Sequence, residues 1–139
     1  MSYREKGAWV YLVVTVGAFA VYVAVILNRA GGRALADVAY VAPMLWTIGL
    51  SIVASTIVRT AVETARPSDS HRSDARDRDI NRFGEYIGAF ALAIAMSVPF
   101  VLALLKSPYF WIANAIYAAF VVWAVVSTGV KLVAYRRGL

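Results

Sequence analysis

The stretch GEYIGAFALAIAMSVPFVLALLKSPYFWIANAIYAAFVVWAVVSTGV, residues 84–130, decides the fold. It holds two apolar runs, Gly84 to Leu105 and Tyr109 to Val130, parted only by Lys106-Ser107-Pro108. A helix of about 20 apolar residues crosses a hydrocarbon core roughly 30 Å thick, so each run predicts a transmembrane helix. With so short a connection the two must fold back on each other as an antiparallel hairpin. Ser107 is placed to cap the second helix of the pair. Pro108 fits its first turn, where a missing amide hydrogen removes no bond.

Working outward, two further runs of the same kind precede it, Gly7 to Leu27 and Val38 to Val58. None of the four contains Lys or Arg, and their one acidic residue is Glu85. The chain is 61% hydrophobic and 16% charged, against about 25% charged in soluble domains. The first run is too long for a signal-peptide core of roughly 7–15 residues, and is expected to be a mature helix. With no cysteine in the sequence, disulfides, thiolate metal sites and cysteine nucleophiles are excluded.

The net charge of +6 lies in the connections and reads as a topology signal rather than as a nucleic-acid footprint. Arg4, Lys6, Arg59, Arg66, Arg72, Arg76, Arg78, Arg82, Lys131, Arg136 and Arg137 fall on one side; Arg29, Arg33 and Lys106 fall on the other. Cytoplasmic segments retain positive charge during insertion. The expected fold is therefore an all-α membrane protein, a four-transmembrane-helix bundle of two hairpins with both termini cytoplasmic. It forms a single domain over 1–139, with a cytoplasmic loop at 59–83 and a multi-pass location in the cell inner (plasma) membrane. A repeat is visible between Pro43-Met44-Leu45-Trp46 and Pro108-Tyr109-Phe110-Trp111, and between Ser55-Thr56-Ile57-Val58-Arg59 and Ser127-Thr128-Gly129-Val130-Lys131. Duplication and chance resemblance of apolar helices account for it equally well.

The 59–83 loop changes character along its length. Ala65 to His71 has the Pro and Ser content of a linker. From Ser73, a plausible N-cap, Asp74 and Asp77 fall where a helix dipole favours negative charge, so the third helix is expected to begin in the cytoplasm. Asp74, Arg76, Asp77, Arg78, Asp79, Arg82 and Glu85 then form a charge run. Asp74 faces Arg78, and Arg82 reaches Asp79 and Glu85, so the run can pair with itself along the helix. It can also serve, with Arg4 and Lys6, as a docking surface for a cytoplasmic partner or for lipid phosphates. His71, Asp74 and Asp77 recur at intervals of three but lack the ligand count of a metal site, so no metal or cofactor is expected.

Gly84 and Gly88 form a GxxxG, the spacing that lets membrane helices approach closely, either within the chain or between copies. Ala91 and Ala95 extend this small face, and Gly17, Ala20 and Ala24 form another in the first helix. Trp9, Tyr86, Tyr109, Phe110, Trp111 and Tyr135 lie near span ends, as interfacial anchors do. Pro43 and Pro99 are placed to kink the second and third helices. The spans offer hydroxyls and Asn114 but no ionisable pathway, and no nucleophile, base and orienting group occur together. An enzyme is therefore not expected.

The opening Arg4-Glu5-Lys6-Gly7-Ala8-Trp9 and the element Asp74-Ala75-Arg76-Asp77 resemble a group of small bacterial four-helix membrane proteins of uncharacterised role. That group has an R-E-K-x-A-W start and a D-E-R-D element before helix three; here Ala75 stands in place of the Glu. Its members resemble genomic companions of helix-turn-helix regulators, which implies a membrane-bound regulatory partner. The expected function is a non-enzymatic regulatory, sensing or assembly role exercised through the cytoplasmic loop. The alternative is a small channel or transporter formed as a homo-oligomer. In either case the lipid bilayer is the first partner, and direct nucleic-acid binding is not expected.

Overall fold

The computed structural model describes residues 3–65 and 75–137. All regular structure among them is helical: α1 (Tyr3–Ala30), a single 3-10 turn (Leu35–Asp37), α2 (Val41–Ala65), α3 (Ala75–Ala95), α4 (Ser97–Leu104) and α5 (Tyr109–Arg137). Among the described residues four stretches are long and apolar enough to cross a membrane: Glu5–Ala30, Val41–Val58, Asp77–Leu104 and Tyr109–Arg137. The third of these includes both α3 and α4.

The helices are longer than their apolar runs. With 28 residues, α1 extends about 42 Å at 1.5 Å per residue, well beyond the hydrocarbon core. α2 continues seven residues past Val58, through a segment expected to be loop, and reaches Ala65 two residues before Pro67. Ala, Arg and Glu in that segment are strong helix formers, which outweighs its lack of hydrophobic periodicity. α3 starts at Ala75, ahead of its apolar run; the expected cap Ser73 lies outside the described residues.

The two intrahelical prolines behave differently. Pro99 has no amide hydrogen to reach the Ala95 carbonyl, and the helix breaks at Met96 into α3 and α4. Pro43, expected to kink α2, sits in that helix's first turn because α2 starts at Val41. No intrahelical bond is lost there. At the tight turn, Ser107 N donates to Leu102 O and Lys106 N to Ala103 O, both at 3.0 Å. This is a Schellman closure with Lys106 at φ 53, in the left-handed position usually given to glycine. α5 begins one residue later than expected, so Pro108 rather than Ser107 stands at its N-cap position, its carbonyl accepting from Trp111 N at 3.0 Å.

The spans form an open bundle. α5 packs on α1, α3 and α4, while α2 packs on α1 and makes no backbone approach to α3, α4 or α5 among the described residues. α5 is accordingly the most buried span and α2 the least. A core cluster lies where α1 ends and α5 begins: Tyr22, Ile26, Ala30, Val38 and Phe110, with Phe19, Tyr40, Met44 and Tyr117 packed around it. Phe19, Tyr22, Ile26 and Ala30 form one stripe along α1 at helical spacing.

This stripe replaces the small face expected on α1: Gly17, Ala20 and Ala24 are all exposed, and a Cβ on Gly17 would meet nothing within 4 Å. Phe110 also departs from the expected aromatic belt. It is 4% exposed and stacks edge-on against Tyr40 at 5.2 Å. Tyr86, Tyr109 and Trp111 are exposed, as is Trp46. Large apolar side chains are exposed along every span, the surface expected of helices solvated by lipid.

Candidate functional site

The charges at the start of α1, in the first half of α3 and at the end of α5 divide into two sets. The inner set pairs across helices. Glu85 Oε1 accepts from Lys131 Nζ at 2.5 Å, joining α3 to α5, with the Lys131 side chain only 16% exposed. Glu5 is buried at 7% exposure, and its carboxylate lies 3.7 Å from Arg136 Nε. The Arg136 guanidinium sits 5.8 Å from the centre of the Trp9 ring, within cation–π range. The end of α5 is thereby tied to α1 on one side and to α3 on the other.

The outer set lies on α3. Arg78, Asp79 and Arg82 are exposed and make no ion pair or hydrogen bond with other described residues. The expected pairing of Arg82 with Asp79 and Glu85 is thus not formed, and the Glu85 carboxylate goes to Lys131 instead. The reason is one of position. Glu85 stands beside the packed glycines and faces α5, where the half-buried Lys131 ammonium needs a partner more than a solvated guanidinium does. Asp77 is half-buried and Lys6 exposed. Arg4 and Arg76 lie in the first turns of α1 and α3, and Asp74 and His71 are outside the described residues. Among the described residues no group of His, Cys, Asp or Glu is arranged to hold a metal ion.

Gly84 and Gly88 pack within the chain against α5. A Cβ on Gly84 would come 2.5 Å from Lys131 Cγ and 2.9 Å from the Ser127 carbonyl oxygen; one on Gly88 would come 2.6 Å from Ser127 Cβ and 3.0 Å from Trp123 Cδ1. The close approach of α3 to α5 is what brings Glu85 within reach of Lys131. Gly7 and Gly84, which open the first and third apolar runs, have different settings, since a Cβ on Gly7 would meet nothing within 4 Å while Gly84 is tightly enclosed.

Sequence reasoning passed over Lys131, Glu5 and Arg136 as partners. One signal was available for the first. Glu85 lies 21 residues before Lys106 and Lys131 lies 23 after Pro108, so an antiparallel pair joined by that turn sets the two at nearly one depth. A second constellation was also missed at the opposite end of α1 and α5. Tyr22 Oη donates to Asn114 Oδ1 at 2.7 Å, Asn114 Nδ2 donates to the Phe110 carbonyl at 2.8 Å, and Tyr117 Oη reaches Thr47 Oγ1 at 3.4 Å. The hydroxyls of Thr47, Ser51, Thr56 and Ser127 donate to carbonyls of their own helices, and that of Ser97 at the start of α4 donates to the Ile94 carbonyl of α3, the back-bonding common for Ser and Thr in helices.

Breaking the α3–α5 pair has a measurable consequence. Glu85→Gln is expected to lower stability in detergent by about 1–2 kcal/mol, because Lys131 is left largely enclosed without its counter-charge. In a double-mutant cycle with Lys131→Met, the combined loss should fall clearly short of the sum. Strict additivity in thermal unfolding would show that the pair contributes nothing.

Compared with models of known protein families, with curated proteins and with solved structures, the chain matches none of them.

Proposed function

We propose that this is a non-enzymatic protein of the bacterial inner membrane. It is built of two hairpins with both termini and the 59–83 connection in the cytoplasm, and the α3 extension docks a cytoplasmic protein partner in a regulatory, sensing or assembly role. One observation carries this reading: the charges at this end of the molecule are sorted. Those that stabilise the bundle are paired internally, while Arg78, Asp79 and Arg82 stand exposed and unpaired within the described residues. A solvated helix face of alternating sign gives a partner orientation and register through complementary charge. The orientation follows from the asymmetry of Lys and Arg between the two sides. The resemblance to small bacterial membrane proteins that accompany regulators agrees with this role.

The test is affinity purification of the full chain in mild detergent. A cytoplasmic protein should co-purify at fixed stoichiometry. It should be lost from the triple variant Arg78→Glu, Asp79→Lys, Arg82→Glu, whose melting temperature should stay near that of the parent because these side chains are exposed and hold no other described residue by charge or hydrogen bond. Retention of the partner by that variant would overturn the reading. So would ion or solute flux through reconstituted vesicles by a defined oligomer with no partner bound, which would establish the channel alternative instead.

A further inference from the structure

The flank of α5 beside Phe83 of α3 carries an apolar groove of about 380 Å³, lined on α5 by Val125, Val126, Gly129, Val130, Val133 and Ala134. Gly129 makes the floor low: a Cβ there would meet nothing within 4 Å, so its lack of a side chain serves no helix packing and leaves open space. Val126, Val130 and Val133 follow helical spacing, and the next position on the same line is Arg137, which is exposed. The other two cations of this part of α5 are engaged, Lys131 by Glu85 and Arg136 by Glu5 and Trp9. The cation left at the end of the groove is therefore the one aligned with it.

We propose that this groove is a binding site for an anionic phospholipid, its acyl chain lying along Val126 to Val133 and its phosphate held by Arg137. The groove admits an apolar chain because it is lined by Val, Gly, Ala and Phe, and Arg137, one helical turn beyond Val133 on the same line of α5, supplies a guanidinium that matches a phosphate in both charge and geometry. The floor from Val126 to Val133 spans roughly 11 Å by helix rise, enough for the first part of one acyl chain below its headgroup. This site rests on the membrane reading of α3 and α5, and its lipid readout is separate from the partner readout that tests the docking surface on α3.

Delipidated protein in detergent micelles is titrated with phosphatidylglycerol or phosphatidylcholine, and retained lipid is counted by native mass spectrometry. The parent protein should retain phosphatidylglycerol about fivefold better than phosphatidylcholine, the factor for one cation beside an anionic headgroup. Arg137→Gln should abolish that preference, lowering phosphatidylglycerol retention more than phosphatidylcholine retention, since only the former carries a net negative charge. Gly129→Leu should fill the floor and reduce retention of both lipids without altering helix content. Equal retention of the two lipids by the parent, or an unchanged preference in Arg137→Gln, overturns the proposal. A native dimer abolished by Gly129→Leu also overturns it and assigns the groove to a second copy. Extraction from membranes by alkaline carbonate without detergent would instead refute the transmembrane reading, an outcome distinct from all of these.

Discussion

Gly88→Leu is expected to be strongly disruptive, lowering stability by about 3 kcal/mol or more. Even a Cβ at this position lies 2.6 Å from Ser127 Cβ and 3.0 Å from Trp123, and a leucine carries three further carbons into the same gap. Overpacking of this kind typically costs about 1–3 kcal/mol. Here relaxation is opposed on both sides, because Trp123 is a bulky ring and Ser127 is fixed to the α5 backbone. The helices must separate, and separation also pulls Glu85 from Lys131, so two contributions are lost together. Gly17→Leu is the control: that glycine is exposed on α1 with nothing within 4 Å, and the substitution should be neutral or favourable by up to about 1 kcal/mol from helix propensity. Thermal unfolding of both variants in one detergent separates packing from propensity. Equal melting temperatures for the two would sink the assignment of the GxxxG face to α5.

The second large effect is expected at Tyr22, which is 1% exposed and the largest fully buried side chain among those described. Its ring stands 5.2 Å from that of Tyr117 and its hydroxyl donates to Asn114, so it joins the second half of α1 to α5 by packing and by a polar bond at once. Tyr22→Ala should cost about 3–5 kcal/mol, the range for emptying an aromatic core position. Tyr22→Phe keeps the ring and removes only the hydrogen bond, so its cost should be near 0.6 kcal/mol and no more than about 1.7, as for interhelical bonds in membranes. Reversible unfolding of both variants, with Asn114→Ala closing a double-mutant cycle, apportions the two contributions. If Tyr22→Phe costs as much as Tyr22→Ala, the polar bond dominates and the packing account of this end is wrong.

The two effects act at opposite ends of one helix, which explains why α5 is the most buried span. At its first half α5 holds α1 through aromatic rings around Asn114; at its second half it holds α3 through small residues and an ion pair. α2 takes part in neither set beyond the contact of Thr47 with Tyr117 and packing on α1.

The four spans, the tight turn at 106–108, the helical start ahead of Gly84 and the proline break near Pro99 were all legible in the amino-acid order. Each depends on local quantities: run length against bilayer thickness, dipole and capping preferences, and the missing amide of proline. What only the tertiary structure decided was which face of each helix is used. Periodicity is uninformative when a helix is apolar all round, so nothing local separates the enclosed Gly84 and Gly88 from the open Gly17, or the buried Phe110 from the exposed Trp111. The same holds for charge. Composition marks Glu85 and Arg82 alike as members of one run, yet the close approach of α3 to α5 gives Glu85 to Lys131 and leaves Arg82 exposed, because pairing across helices depends on depth and rotation that no single helix specifies.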